Sequence, residues 1–142
     1  MSKGGEASLT FTPVRQWRLV GNYTWTVVTI HPNGPDLNGG RFFAGFTPRH
    51  QIRLQSFLDL PGRFQLDAFF RYATSIGYPP SVDPSGALGV EAYATADVRA
   101  SWAWRRLDFS LVGRSLLQAH HLEFPGAREV RRSAYLKVAG RF

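Results

Sequence analysis

The sequence predicts an all-β chain: an antiparallel up-and-down meander of about seven strands, suited to form part of a transmembrane β-barrel wall. Three observations carry that expectation. Apolar and polar residues alternate with a two-residue period over seven segments, and two is the period of a strand. Short and long connections alternate strictly along the chain. The aromatics of the apolar set gather at the ends joined by the short connections.

The segments are approximately 6–11, 18–30, 51–60, 63–74, 93–104, 107–117 and 131–142. The first, EASLTF, is brief. In the second, Leu19, Gly21, Tyr23, Trp25 and Val27 fall on one side and Arg18, Asn22, Thr24 and Thr26 on the other. The third sets Ile52, Leu54 and Leu58 against Gln51, Arg53, Gln55 and Asp59. The fourth sets Phe64, Leu66, Ala68, Phe70 and Tyr72 against Gln65, Asp67 and Arg71. In the fifth, Val98, Ala100, Trp102 and Trp104 oppose Thr95, Asp97, Arg99 and Ser101. In the sixth, Leu107, Phe109 and Leu111 oppose Asp108, Ser110 and Arg114. In the last, RSAYLKVAGRF, the pattern runs to the final residue: Leu136, Val138, Gly140 and Phe142 share a face.

The short links are TPVRQW at 12–17, Pro61-Gly62 and Arg105-Arg106; the long ones are 31–50, 75–92 and 118–130. Tight turns join antiparallel neighbours, so short and long links lie at opposite ends of one meander. Most segments are near the ~9–11 residues with which a tilted strand crosses a bilayer, above the ~5–6 usual in globular sheets. Short turns on one side and longer loops on the other are the habit of transmembrane barrels. Phe11, Phe64, Trp102, Trp104, Phe109 and Phe142, at the short-turn end of the apolar face, suit a girdle at one membrane interface. Bacterial single-chain barrels have even strand numbers, so seven implies an incomplete barrel. A soluble β-sandwich or barrel acting as a ligand- or carbohydrate-binding module also alternates, and stays open as the alternative. So does a small porin-like barrel that closes by oligomerising.

Cysteine is absent, which removes disulfides and thiolate chemistry. The net charge is +7, yet the 17 Lys and Arg are spread over polar strand faces and turns with no basic run, which argues against nucleic acid as a partner. A lumen accommodates these arginines; one facing lipid at mid-plane costs ~2–4 kcal/mol. A mean hydropathy of −0.20 is no obstacle, because only every second residue of such a wall meets lipid. No apolar run has the length of a membrane-spanning helix, and MSKGGEASLT lacks the apolar core of a secretory signal.

No residue pattern here carries a reaction. His120 and His121 are adjacent, so they point to opposite faces of an extended chain, and His31 and His50 have no partner at ligand spacing; no metal site is expected. Asp59, Asp67, Asp97 and Asp108 are expected to pair with Arg53, Arg71, Arg99 and Arg114 across neighbouring strands rather than to act as acid and base. NGPDLNGG at 33–40 precedes no helix, and no nucleophile elbow or phosphate loop is present. Neither enzyme activity nor a cofactor is expected.

Nearly the whole chain resembles the C-terminal part of a TonB-dependent outer-membrane receptor, the plugged barrel that imports ferric siderophores, cobalamin and other scarce nutrients. The resemblance rests on GEASLTFTPVRQWRLVGNYTWT, TPRHQIRLQSFLDLPGRFQLDAFFRYAT, YATADVRASWAWRRLDFSLVGRSLLQAHHLEF and RRSAYLKVAGRF, in that order and spacing. Two positions depart from it. Ser115 stands where the family typically has Asn before the paired leucines, and Gly140 where it often has an aromatic. The resemblance implies a bacterial outer-membrane location and a single segment, 1–142, of barrel wall with no plug and no signal peptide. It implies lipid, the remaining strands and the plug as partners, with TonB acting only through that plug. Tyr135, Leu136, Val138 and Phe142 resemble the signal read by the barrel-assembly machinery. In the loops, Arg41, Phe42, Phe43, Arg49 and Tyr78 are the candidate ligand contacts. Aromatic and basic side chains there suit anionic, catechol- or hydroxamate-like ligands, and equally suit ordinary loop packing.

Overall fold

The computed structural model describes residues 1–29, 47–78, 83, 85, 89–123 and 128–140. Its strands are β1 (Ser2–Val14), β2 (Trp17–Val28), β3 (His50–Leu60), β4 (Phe64–Ala73), β5 (Tyr93–Trp104), β6 (Leu107–Arg114), β7 (His120–His121), β8 (Val130–Arg131) and β9 (Ser133–Gly140). Seven of them form one antiparallel meander in the order β1-β2-β3-β4-β5-β6-β9, while β7 and β8 pair with each other. The sheet is open, with β1 and β9 at its edges. Among the described residues there is no α-helix, and no helix is long and apolar enough to cross a membrane.

The tight turns follow from their residues. Pro61 opens a 3₁₀ turn, Pro61–Arg63, and Gly62 (φ 76°) and Arg63 (φ 64°) take left-handed backbone to reverse the chain into β4. Arg105 (φ 55°) does the same between β5 and β6. Between β1 and β2 the register shifts between Phe11 and Val14, at the position of Pro13. Proline has no N–H for a ladder, and an edge strand is where it is tolerated.

Some strand boundaries differ from the sequence expectation. β1 begins at Ser2 rather than residue 6, although Lys3-Gly4-Gly5 shows no alternation. Pairing with β2 holds it there, Ser2 opposite Val28, with the terminal amine of Met1 donating to Thr29 O at 2.6 Å. β6 ends at Arg114 rather than 117, because Ser115 turns left-handed (φ 54°). Ser115 N donates to Asp97 Oδ1 at 2.8 Å, and Leu116 N to Ala96 O at 2.9 Å. The long links also carry pairing of their own. β7 lies within 118–130 and pairs with β8 at its end, and Ile76 and Val90 exchange two 2.9 Å backbone hydrogen bonds within 75–92.

Directly paired residues in an antiparallel ladder share a face. One row runs Phe11, Leu19, Ser56, Ala68, Val98 and Gly113 across β1 to β6, and beside it runs Leu60, Phe64, Trp102, Phe109 and Val138 from β3 to β9. That face is apolar from edge to edge, with Ser56 its main polar interruption. The opposite face carries Asn22, Arg53, Arg71 and Thr95 in one row and Gln65, Ser101 and Ser110 in another. Among the described residues no second layer covers the apolar side. Leu9 is 71% exposed, Leu111 58% and Leu136 67%, and among the described residues the buried apolar ones are only Ala73, Ile76 and Val90. A β-sandwich would press this face against a second sheet ~10 Å away. Here the seven long strands form one sheet with no second sheet packed on its apolar face among the described residues, held by its hydrogen-bond ladder and cross-strand pairs.

Candidate functional site

The apolar face is bounded by aromatic rows. At the short-turn end, Trp102 on β5 stacks on Phe64 of β4 (5.7 Å between ring centres) and Phe109 of β6 (6.0 Å), with Trp104 6.2 Å away. Arg105 lies over the Trp104 ring at 5.2 Å. Trp17 belongs to the same end and donates from Nε1 to Ser56 Oγ at 2.9 Å. Phe11 pairs with Leu19 at the edge. A second row stands at the long-loop end, where Tyr23 faces Ile52 and Trp25 faces His50. Tyr23 Oη and His50 Nδ1 are 2.8 Å apart, and His50 N donates to Thr74 Oγ1 at 3.1 Å. This second row is missed by a reading that looks only for aromatics beside tight turns. Its signal was present in Tyr23 and Trp25, which share the parity of Leu19. From Trp17 to Trp25 the strand rises about 26 Å. A tilt of ~40° reduces that to about 20 Å, comparable with the ~25 Å apolar band of outer-membrane barrels.

The polar face is an ion-pair network, and it corrects part of the expected pairing. Arg99 grips buried Asp67, its direct cross-strand partner, with Nε at 2.7 Å and Nη2 at 2.5 Å from Oδ2. Arg114 Nε lies 4.0 Å from Asp97 Oδ2. Asp59 instead accepts from Gln65 Nε2 at 2.9 Å. Arg71 pairs not with an aspartate but with Glu123, a residue of the long link after β6. The register supplies the reason: Arg53 and Arg71 are directly opposite, and like charges so placed destabilise a ladder. Glu123 offsets one of them. It also lies 3.5 Å from His121 Nε2, and His121 stacks on Tyr93 at 4.7 Å, while Arg71 lies over the same Tyr93 ring at 5.5 Å. His121 is buried and its neighbour His120 exposed, as adjacent residues of an extended chain should be. Together these contacts pin the β7–β8 hairpin to the wall. A hollow of about 260 Å³ beside them is lined by Arg53, Arg71, Thr95, Asp97 and Arg114.

Of the expected ligand contacts, Arg41, Phe42 and Phe43 lie outside the described residues. Arg49 is exposed at the start of β3, its carbonyl accepting from Thr26 N at 2.9 Å. Tyr78 lies in the following long loop; burial, with the charge of Asp83 adding to it, raises its phenol above the ordinary value, so the group is a neutral O–H donor. On β9, Leu136 faces Leu111 and Val138 faces Phe109 on the apolar side, while Tyr135 faces Val112 on the other; Phe142 lies outside the described residues. No group of three or more metal-ligating side chains occurs among the described residues.

A single antiparallel wall, apolar between two aromatic rows and salt-bridged behind, matches part of a barrel. The family model for the TonB-dependent receptor-like β-barrel matches residues 1–114, and the chain belongs to that family. Several solved structures share the fold, two receptors among them. The ferric-catecholate import receptor Fiu of E. coli K12 matches at 20% identity and a TM-score of 0.69, over 96% of this chain and 20% of Fiu. The siderophore receptor PiuA of Acinetobacter baumannii matches at 16% identity and a TM-score of 0.72, over 96% of this chain and 21% of PiuA. The chain thus spans about a fifth of the length of either receptor. No curated protein sequence matches it.

Proposed function

We propose that this chain is a segment of the barrel wall of an outer-membrane TonB-dependent receptor that takes up a scarce nutrient such as a ferric siderophore. The observation that carries the reading is the single sheet whose apolar face lies uncovered between two aromatic rows. Lipid is the solvent in which such a face is stable, and a lumen is the place where the Asp67–Arg99 and Arg71–Glu123 pairs are stable. In this assignment Phe11, Phe64, Trp102, Trp104 and Phe109 sit at the membrane interface. Tyr135, Leu136, Val138 and Phe142 guide the barrel-assembly machinery. Arg41, Phe42, Phe43, Arg49 and Tyr78 belong to the outward loops that meet the ligand. Transport requires the remaining strands and the plug through which TonB acts. The names of Fiu and PiuA, a ferric-catecholate importer and a siderophore receptor, point to iron chelates as the first ligands to test.

The test is fractionation of the chain expressed behind an export signal, followed by urea extraction and gel mobility with and without boiling. The expected result is recovery with the outer membrane, or recovery there once the remaining receptor strands are co-expressed. A soluble, monomeric, protease-resistant product would overturn the membrane assignment.

A further inference from the structure

We propose that the short-turn end of the sheet is a binding rim for anionic phospholipid headgroups, formed by Arg15, Arg63, Arg105 and Arg106. The inference rests on the barrel-wall reading and adds a ligand chemistry to one edge of it. The antiparallel order places the three tight turns at one end, and each carries arginine: Arg15 between β1 and β2, Arg63 between β3 and β4, Arg105 and Arg106 between β5 and β6. No Asp or Glu occurs in any of these turns. All four arginines are exposed, and none is in an ion pair among the described residues. Turn geometry does not ask for them. Arg63 and Arg105 occupy left-handed backbone, where glycine and asparagine are favoured and a long side chain is not.

Their neighbours supply the second observation. Exposed Trp17, Phe64, Trp102 and Trp104 stand just inside the turns, and Arg105 already lies over Trp104. Moving outward along the sheet, the order is aliphatic face, aromatic row, guanidinium rim. A phospholipid leaflet has the same order: acyl chain, interface, phosphate. Guanidinium forks bind phosphate oxygens through paired N–H donors. A soluble acidic protein would match the charge but leave the aromatic row beside it uncovered.

The experiment is flotation of the full chain with phosphatidylcholine vesicles, with and without a minority of phosphatidylglycerol. Each basic residue close to an anionic surface multiplies partitioning by about fivefold at moderate salt. The rim variant carries Arg15→Gln, Arg63→Asn, Arg105→Asn and Arg106→Gln, the asparagines suiting the left-handed positions so that the turns still form. It is expected to lose the phosphatidylglycerol-dependent gain by on the order of several hundredfold, four factors of about five. Lysine at the same four positions is expected to keep most of it. A charge-matched control with Arg53→Gln, Arg114→Gln, Arg131→Gln and Arg132→Gln, away from the short-turn end, is expected to retain the gain. Equal losses in rim and control variants would overturn the rim in favour of bulk charge. Wild-type partitioning that ignores phosphatidylglycerol would also overturn it, leaving the wall reading intact. No association with either vesicle would overturn both.

Discussion

Removing Arg99 should cost more than removing the aspartate it holds. Asp67 is buried on the polar face, whereas the Arg99 side chain keeps 44% of its exposure. In Arg99→Gln the carboxylate stays out of water with its charged partner gone. A broken buried pair costs ~3–5 kcal/mol, and solvent reaching the site from the arginine side reduces this to about 3 kcal/mol. In Asp67→Asn the arginine swings toward solvent, and the loss is about 1 kcal/mol. The double variant leaves two neutral amides able to bond each other, at about 2 kcal/mol, so it should be more stable than Arg99→Gln alone. The implied coupling is then about 2 kcal/mol. Urea unfolding of the chain assembled in vesicles, followed by tryptophan fluorescence, measures all three variants. Additive losses, or an Asp67→Asn loss as large as that of Arg99→Gln, would refute the claim that desolvation of Asp67 dominates the pair.

Ser115→Asn should stabilise the end of β6 by about 0.5–1 kcal/mol, since asparagine tolerates the left-handed backbone that serine occupies here; the same titration reads it, and a loss would refute the backbone account. Glu123→Gln should leave Arg71 opposite Arg53 without a counter-charge and release β7–β8 from the wall. Amide exchange at Arg132, whose N–H is bonded to Ala119 O, should then accelerate while exchange in β5 stays slow. Trp102→Ala should cost about 2–3 kcal/mol, because one substitution removes three ring contacts worth ~0.5–1.5 kcal/mol each. Phe11→Ala, at the edge and paired only with Leu19, should cost distinctly less.

The strands and tight turns were legible because each has a local cause. A two-residue period is imposed wherever a sheet has unlike faces, and Pro61-Gly62 can hardly be anything but a turn. What escaped was non-local. Ser2 to Gly5 carry no alternation and are strand only because β2 lies beside them. The β7–β8 hairpin depends on contacts of Glu123 and His121 with Arg71 and Tyr93, which are far away in sequence. The expected Asp–Arg pairing held for Asp67 with Arg99, direct ladder partners, and failed for Arg71, whose opposite residue is another arginine. Parity along a strand says which face a side chain takes; register, which sequence leaves open, says whom it meets there. Of the candidate ligand contacts, Arg49 and Tyr78 sit where loops meet the sheet, so their shared use, if any, lies with loop residues rather than with the wall.

The absence of a covering layer has a further consequence for how such a wall tolerates change. In a packed core each side chain must fit its neighbours' shapes, so replacements are correlated and few. Along the uncovered face of β1 to β9, a leucine exchanged for valine or phenylalanine meets a medium that conforms to it. Such positions constrain hydrophobicity but hardly shape, and the ladder is written in main-chain atoms that every residue but proline supplies. Sequences can therefore drift almost freely while the alternation survives. Fiu and PiuA keep this architecture with only 20% and 16% of residues in common with the chain.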